Sequence, residues 1–146
     1  MIEAKSIEKK LNHLNWISLQ FKDPSEEINL IKEALILLKS DSRKKILITH
    51  YQFFSLLLEE DLNILNRWYL WDNNTHPTEN HKYFENYKKL VNNNLKNNRI
   101  EVIYLLGPNK EILFSDIKNY FENSCFKHNI VIENKFSYHE IIDCKK

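Results

Sequence analysis

A single glycine in 146 residues removes a whole class of sites. Phosphate cradles made of Gly-rich backbone at a helix N-terminus, GxGxxG or a Walker loop, cannot be assembled. A GxSxG nucleophile elbow is excluded for the same reason. With only three prolines as well, loops should be short and built from Asn, Asp and Ser, which accept turn and left-handed backbone. The overuse of Asn and Lys, as in "NNNLKNNR", costs a helix only roughly a few tenths of a kcal/mol per residue.

Neither sign of charge dominates: 21 basic side chains face 20 acidic ones, for a net charge of +1. A general polyanion binder shows a basic face and a pI above about 9, so no nucleic acid partner is expected. The densest basic cluster, "KSDSRKK", reads as a solvated helix end. No apolar run approaches the ~20 residues of a membrane span; "ALILL" is the longest clean one. A secretory leader is not expected either, so the chain by itself reads as soluble and cytoplasmic. Cys125 and Cys144 are the only cysteines, with no CxxC or Cys/His zinc spacing. They are either two buried inert thiols or one disulfide.

What is present is an ordinary globular composition, 42% hydrophobic and 12% aromatic, in an alternating pattern of elements. "SIEKKLNHL" spaces Ile7, Leu11 and Leu14 for a short amphipathic helix, and "NWISLQF" follows as a connection. "DPSEEINLIKEALILLKS" opens with Asp23 as a cap and Pro24 at the first helical position, and is apolar over more than half its circumference. "KKILITH", "NRWYLW" and "RIEVIYLLG" read as strands, the first and last un-alternating as in sheets buried on both faces. Helices are expected at "YQFFSLLLEE", from Pro77 through "HPTENHKYFENYKKLVNNNLKNN" (with Tyr83, Tyr87, Leu90 and Leu95 on a broad stripe), and at "EILFSDIKNYFENSCF". "NIVIENKF" and "YHEIIDC" end the chain as short strands or a strand pair. Strands alternating with helices predict a three-layer α/β/α sandwich around a mainly parallel, Rossmann-like sheet of about four to five strands. Residues 1–146 would form one domain, with an N-terminal helix and connection over 1–22 and the α/β core over 23–146.

In a parallel sheet, ligands bind beyond the carboxyl ends of the strands. That rule gathers Thr49, His50, Tyr51 and Gln52 from one strand end. It adds Trp71, Asp72, Asn73, Asn74 and His76 from the next, then Asn109 and Lys110 from the third. His50, Asp72 and His76, with His81 nearby, are of the N/O types that zinc or manganese accept. Their spacing matches no established motif, and turn, cap and solvated roles account for each of them. Trp71 at a strand end could stack on a sugar ring beside Asp72 and Asn74, although aromatics mostly pack cores. Cysteine catalysis is disfavoured, since Cys125 is expected at a packed helix end. No cofactor is implied.

The strings "HLNWISLQFKDPSEEINLIKEALILL", "KKILITHYQFFSLLLEEDLNILNRWYLWDNNTHPTENHKYFENYKKL" and "IEVIYLLG", followed by the terminal "CF" and "IIDC", carry a resemblance over nearly all of the chain. It resembles the C-terminal soluble domain of bacterial multi-pass membrane proteins that are similar to GT-C-type glycosyltransferases. The resemblance implies a non-catalytic domain at the periplasmic face of the inner membrane. Its partner would be the membrane-embedded portion of the parent protein or another membrane partner, with an acceptor carbohydrate or lipid-linked sugar as ligand. In such enzymes the catalytic acid lies in an early loop between membrane helices, and no residue here matches it. The resemblance also favours a Cys125–Cys144 bridge, which an oxidising compartment would maintain. The competing expectations are a small metal-dependent hydrolase using His50, Asp72 and His76, and a cytoplasmic protein-interaction module.

Overall fold

In the computed structural model, residues 2–18, 21–66, 76–107, 114–121 and 124–144 are described. The chain divides into two compact units, Met1–Ser42 with Phe53–Glu60, and Arg43–Gln52 with Asp61–Lys146.

The first unit opens with β1 (Ile2–Glu3), which pairs antiparallel with β2 (Asn15–Trp16). "SIEKKLNHL" is therefore not one amphipathic helix. It breaks into 3₁₀ turns at Ala4–Ser6 and Lys9–Leu11, because the Glu8 carboxylate accepts the Lys9 N–H at 2.9 Å and His13 takes a left-handed backbone (φ 73°) that turns the chain back. The long helix α1 (Pro24–Ser40) starts where its caps require, with the Asp23 carboxylate accepting the Ser25 N–H at 2.9 Å and Pro24 at the first position. It buries Ile28, Leu30, Ile31, Ala34 and Leu38 and leaves Ile36 exposed. α2 (Phe54–Leu58) is a short turn of helix stopped by Glu59 in the left-handed region.

The second unit holds a four-stranded sheet in the order β3-β4-β6-β5. β3 (Lys45–Thr49) and β4 (Val102–Leu106) run parallel in the register Ile46↔Ile103 and Ile48↔Leu105, and every residue of both is buried. β6 (Phe136–Ile142) then lies antiparallel to β4, and β5 (Cys125–Ile132) antiparallel to β6. The sheet is mixed, with one parallel pair, so the expected mainly parallel, Rossmann-like sandwich is wrong.

The reason lies in the connections. A parallel crossover needs a dozen or more residues, usually a helix. β5 and β6 are joined only by the turn at 133–135, where Asn134 is left-handed (φ 62°) and the Lys135 N–H bonds the Ile132 carbonyl at 3.1 Å. So short a link makes a hairpin. Among the described residues, "EILFSDIKNYFENSCF" supplies α4 (Phe114–Ile117) and one 3₁₀ turn, Lys118–Tyr120. Cys125 accordingly begins β5 opposite Ile142 rather than closing a helix. Un-alternating β4 remains buried on both faces although one of its neighbours is antiparallel.

One sheet face carries Ile46, Ile48, Ile103 and Leu105, packed with Phe84, Val91 and Leu95 of α3 (Phe84–Asn97) and with Ile117, Tyr120 and Phe121. α3 begins at Phe84 rather than Pro77, and Tyr83 and Leu90 point to solvent. Its inward stripe is Phe84, Tyr87, Val91 and Leu95, at helical spacing. The expected strand "NRWYLW" falls on 66–71, of which 67–71 lie outside the described residues. Among the described residues, no helix is long and apolar enough to cross a membrane.

Cys125 and Cys144 form a disulfide with a Cα–Cα distance of 5.2 Å, closing the open end of the β5–β6 hairpin. Two substitution series test this packing. Ile103→Ala, at a fully buried position, should lower unfolding free energy by about 2–5 kcal/mol, whereas Leu90→Ala should stay within about 0.5 kcal/mol. The paired Cys125→Ser/Cys144→Ser variant should lose about 3 kcal/mol, the loop-closure value for this separation. Urea unfolding of each variant beside the parent checks both series, and equal midpoints for Ile103→Ala and the parent would refute the packing.

Candidate functional site

Alternation along β6 puts Ser137, His139 and Ile141 on the sheet face shared with Leu105 and Ile103, their partners on β4. On the other side of β6, His139 faces His128 of β5 directly. Three polar side chains thus meet on an otherwise apolar face. The Ser137 hydroxyl Oγ lies 3.1 Å from His139 Nε2, and His139 Nδ1 lies 2.7 Å from His128 Nδ1. Phe114 stacks on the His139 ring, with centroids 4.1 Å apart and planes inclined by 23°. His139 is buried and His128 exposed, so the chain of bonds runs from interior to solvent.

These residues border a hollow of about 340 Å³ at the end of the sheet, whose walls include Ile48, His50, Leu105 and Ile130. Gly107 forms part of its rim, with its N–H bonded to the Lys135 carbonyl at 2.9 Å. Burial, reinforced by the neighbouring His128, pushes the His139 imidazole down to about 4. Near neutral pH the ring is therefore uncharged, with one N–H donor and one bare nitrogen. With the proton on Nδ1, it donates to His128 and Nε2 accepts from Ser137. That arrangement is a hydroxyl, a base, and a third group that orients the base.

The residues singled out from sequence separate into different surroundings. His50 borders the hollow. Thr49 and Tyr51 are buried; the Thr49 hydroxyl accepts the Tyr51 N–H at 3.1 Å, and its carbonyl accepts the Gln52 side-chain amide at 2.8 Å. These bonds tie off the end of β3. His76 is elsewhere, in an aromatic nest with Tyr87 and Tyr120 at ring distances of 6.0 Å. Burial pushes it down to about 4. The Tyr120 hydroxyl donates to the Pro77 carbonyl at 2.6 Å, and the Tyr87 hydroxyl, pushed up to about 12 by burial, accepts from Asn66 at 2.7 Å. His76 does not line the hollow that His50 borders. Trp71, Asp72, Asn73, Asn74, Asn109 and Lys110 lie outside the described residues. Among the described residues no group of three His, Cys, Asp or Glu side chains is placed to hold a metal ion.

Searches against protein-family models, curated proteins and solved structures return no match to this chain. The site therefore has to be read from its own geometry.

Sequence reasoning missed Ser137, His128 and His139. The signal was "FSYHE", in which a Ser and a His two apart share a face once the segment is a strand. His128 joins them only through the hairpin register, and that register depends on a turn whose left-handed residue is Asn134 rather than glycine.

The depressed histidines make stability depend on pH with a definite sign. The folded values near 4 lie below the ordinary 6.5, so between these limits the unfolded chain takes up protons that the fold refuses. Stability should be undiminished above about 6.5 and fall as pH drops towards 4. Thermal melts from pH 7.5 to 4.5 should show Tm falling with acid, and His139→Gln should flatten part of that slope. A slope unchanged in the variant would show that His139 takes up its proton normally in the fold.

Proposed function

We propose that this chain is an extracytoplasmic recognition domain of a membrane glycosyltransferase-like protein, non-catalytic in sugar transfer. It holds an acceptor carbohydrate or lipid-linked sugar beside the membrane-embedded portion of its parent. The observation that carries this reading is the disulfide closing the β5–β6 hairpin. Disulfides persist in oxidising compartments and are rare where thiols are kept reduced, and this one steadies the two strands that supply Ser137, His139 and His128. The resemblance of the cysteine-bearing C-terminal segment to such domains points the same way.

The hollow suits a ligand with mixed character. Ile48, Leu105 and Ile130 offer apolar wall, while Ser137 and the histidines offer hydrogen bonds, the usual composition of a small-molecule site. Sugar transfer itself belongs to the membrane portion in this reading, and the domain contributes binding.

The test is a titration of oxidised protein with a farnesyl-phosphate-linked hexose, followed by amide NMR, with free hexose and farnesyl phosphate as separate arms. Shifts should cluster at Leu105, Gly107, Ser137 and His139, and should be largest for the linked compound. If millimolar ligand moves none of these signals, or if thiol alkylation of the chain in its native cells finds both cysteines free, the reading fails.

A further inference from the structure

The bond chain Ser137–His139–His128 has an order that ligand binding does not require. A serine hydroxyl is a weak nucleophile until a positioned base takes its proton, and the base works best when a third group fixes its tautomer. All three parts are present. Ser137 Oγ is 3.1 Å from His139 Nε2, His139 Nδ1 is 2.7 Å from His128 Nδ1, and Phe114 lies flat on the His139 ring, restricting its rotation. Ser137 and His139 also border the hollow of about 340 Å³, so a reacting group has room to reach the hydroxyl. A polar cluster formed only to satisfy itself within a packed core would have no such opening.

We infer that Ser137 is a nucleophile toward carboxylic esters, with His139 as its general base and His128 as the residue that positions His139. This goes beyond the recognition role and does not depend on it. In the step, Ser137 Oγ bonds to the ester carbonyl carbon as its proton passes to His139 Nε2. The carbon–oxygen bond to the alcohol breaks, and His139 returns that proton to the departing alkoxide. Water then gives a proton to His139 and adds to the acyl carbon. The acyl–Oγ bond breaks, and Ser137 recovers its proton. The products are one carboxylic acid and one alcohol, and water is the only co-reactant. His128, at the solvent end, accepts the His139 Nδ1–H and so fixes the tautomer that leaves Nε2 open to take the proton. The apolar walls at Ile48, Leu105 and Ile130 suit a short acyl chain.

A fluorophosphonate probe tests this on the whole folded chain with its disulfide intact. In the labelling, Oγ–P forms, P–F breaks and fluoride leaves. Intact mass and peptide mapping should find one adduct per chain, on Ser137, and none after heat denaturation or in Ser137→Ala. His139→Gln should slow labelling about 100-fold, the usual scale of general-base assistance. His128→Gln should slow it about tenfold and displace the pH dependence of the labelling rate, which a merely structural role would leave in place. Its exposed position keeps the comparison available if His139→Gln fails to fold. Hydrolysis of p-nitrophenyl acetate should follow the same ranking. Absence of an adduct, equal labelling of Ser137→Ala, or an unchanged rate in His128→Gln would each overturn the assignment.

Discussion

The register between β4 and β6 decides which side chains reach the hollow. With Leu105 opposite Ser137 and Ile103 opposite His139, the serine and histidine lie on the face that also carries the aliphatic core. A slip of one residue would send both to the opposite face and bring Tyr138 and Glu140 in their place. Several features hold this register. The neighbouring β4 is buried throughout, Tyr104 packs against Phe136 and Tyr138 across the other face, and the Gly107–Lys135 bond ties the strand ends together. At the far end the disulfide joins the start of β5 to the residues just beyond β6. The polar trio is thus set by apolar packing and covalent closure, both of which act at a distance from it.

Desolvation then gives the trio its chemistry. His139 is buried under Phe114, while its neighbour across the hairpin remains exposed. Burial disfavours the imidazolium, and so does a second histidine at hydrogen-bond distance. Holding the ring neutral frees one nitrogen to accept a proton. An identical pair in water would titrate near the ordinary value and spend much of its time protonated at mildly acid pH. Here the pair divides the work, since the interior ring can serve as base while the outer ring meets solvent.

What the sequence disclosed followed local rules, and what it concealed depended on pairing. Asp23 and Pro24 placed α1 correctly because capping is settled within four residues. "KKILITH" and "RIEVIYLLG" were legible as buried strands for a similar reason. Strand direction was not legible. An un-alternating run signals burial on both faces, which parallel sheets require, but β4 attains the same burial with one parallel and one antiparallel neighbour. The site followed this division. His50 borders the hollow because it lies at a strand end. Ser137, His139 and His128 lie within a hairpin whose partners no local rule could name. "SIEKKLNHL" shows the opposite failure, since helical spacing was present but a side-chain bond at Glu8 and the reversal at His13 prevailed.

The scarcity of glycine links these observations. Left-handed backbone is normally assigned to glycine because a Cβ there costs about 1–2 kcal/mol. This chain instead places His13, Glu59, Asn63, Arg99 and Asn134 in that region, and only the two asparagines are types that accept it readily. Each bend must therefore be offset by what it makes possible. Arg99 precedes β4, and the Ile100 N–H that follows bonds back to Leu95 at the end of α3 at 3.0 Å. Asn63 sends its side-chain amide to the Lys45 carbonyl at the start of β3. Asn134 turns β5 into β6. These three bends adjoin strands of the one sheet that presents Ser137 and His139, so the backbone cost is concentrated where pairing must be fixed. A glycine at the same places would turn as easily but would leave the unfolded chain freer, and the register on which the site depends would be held less firmly.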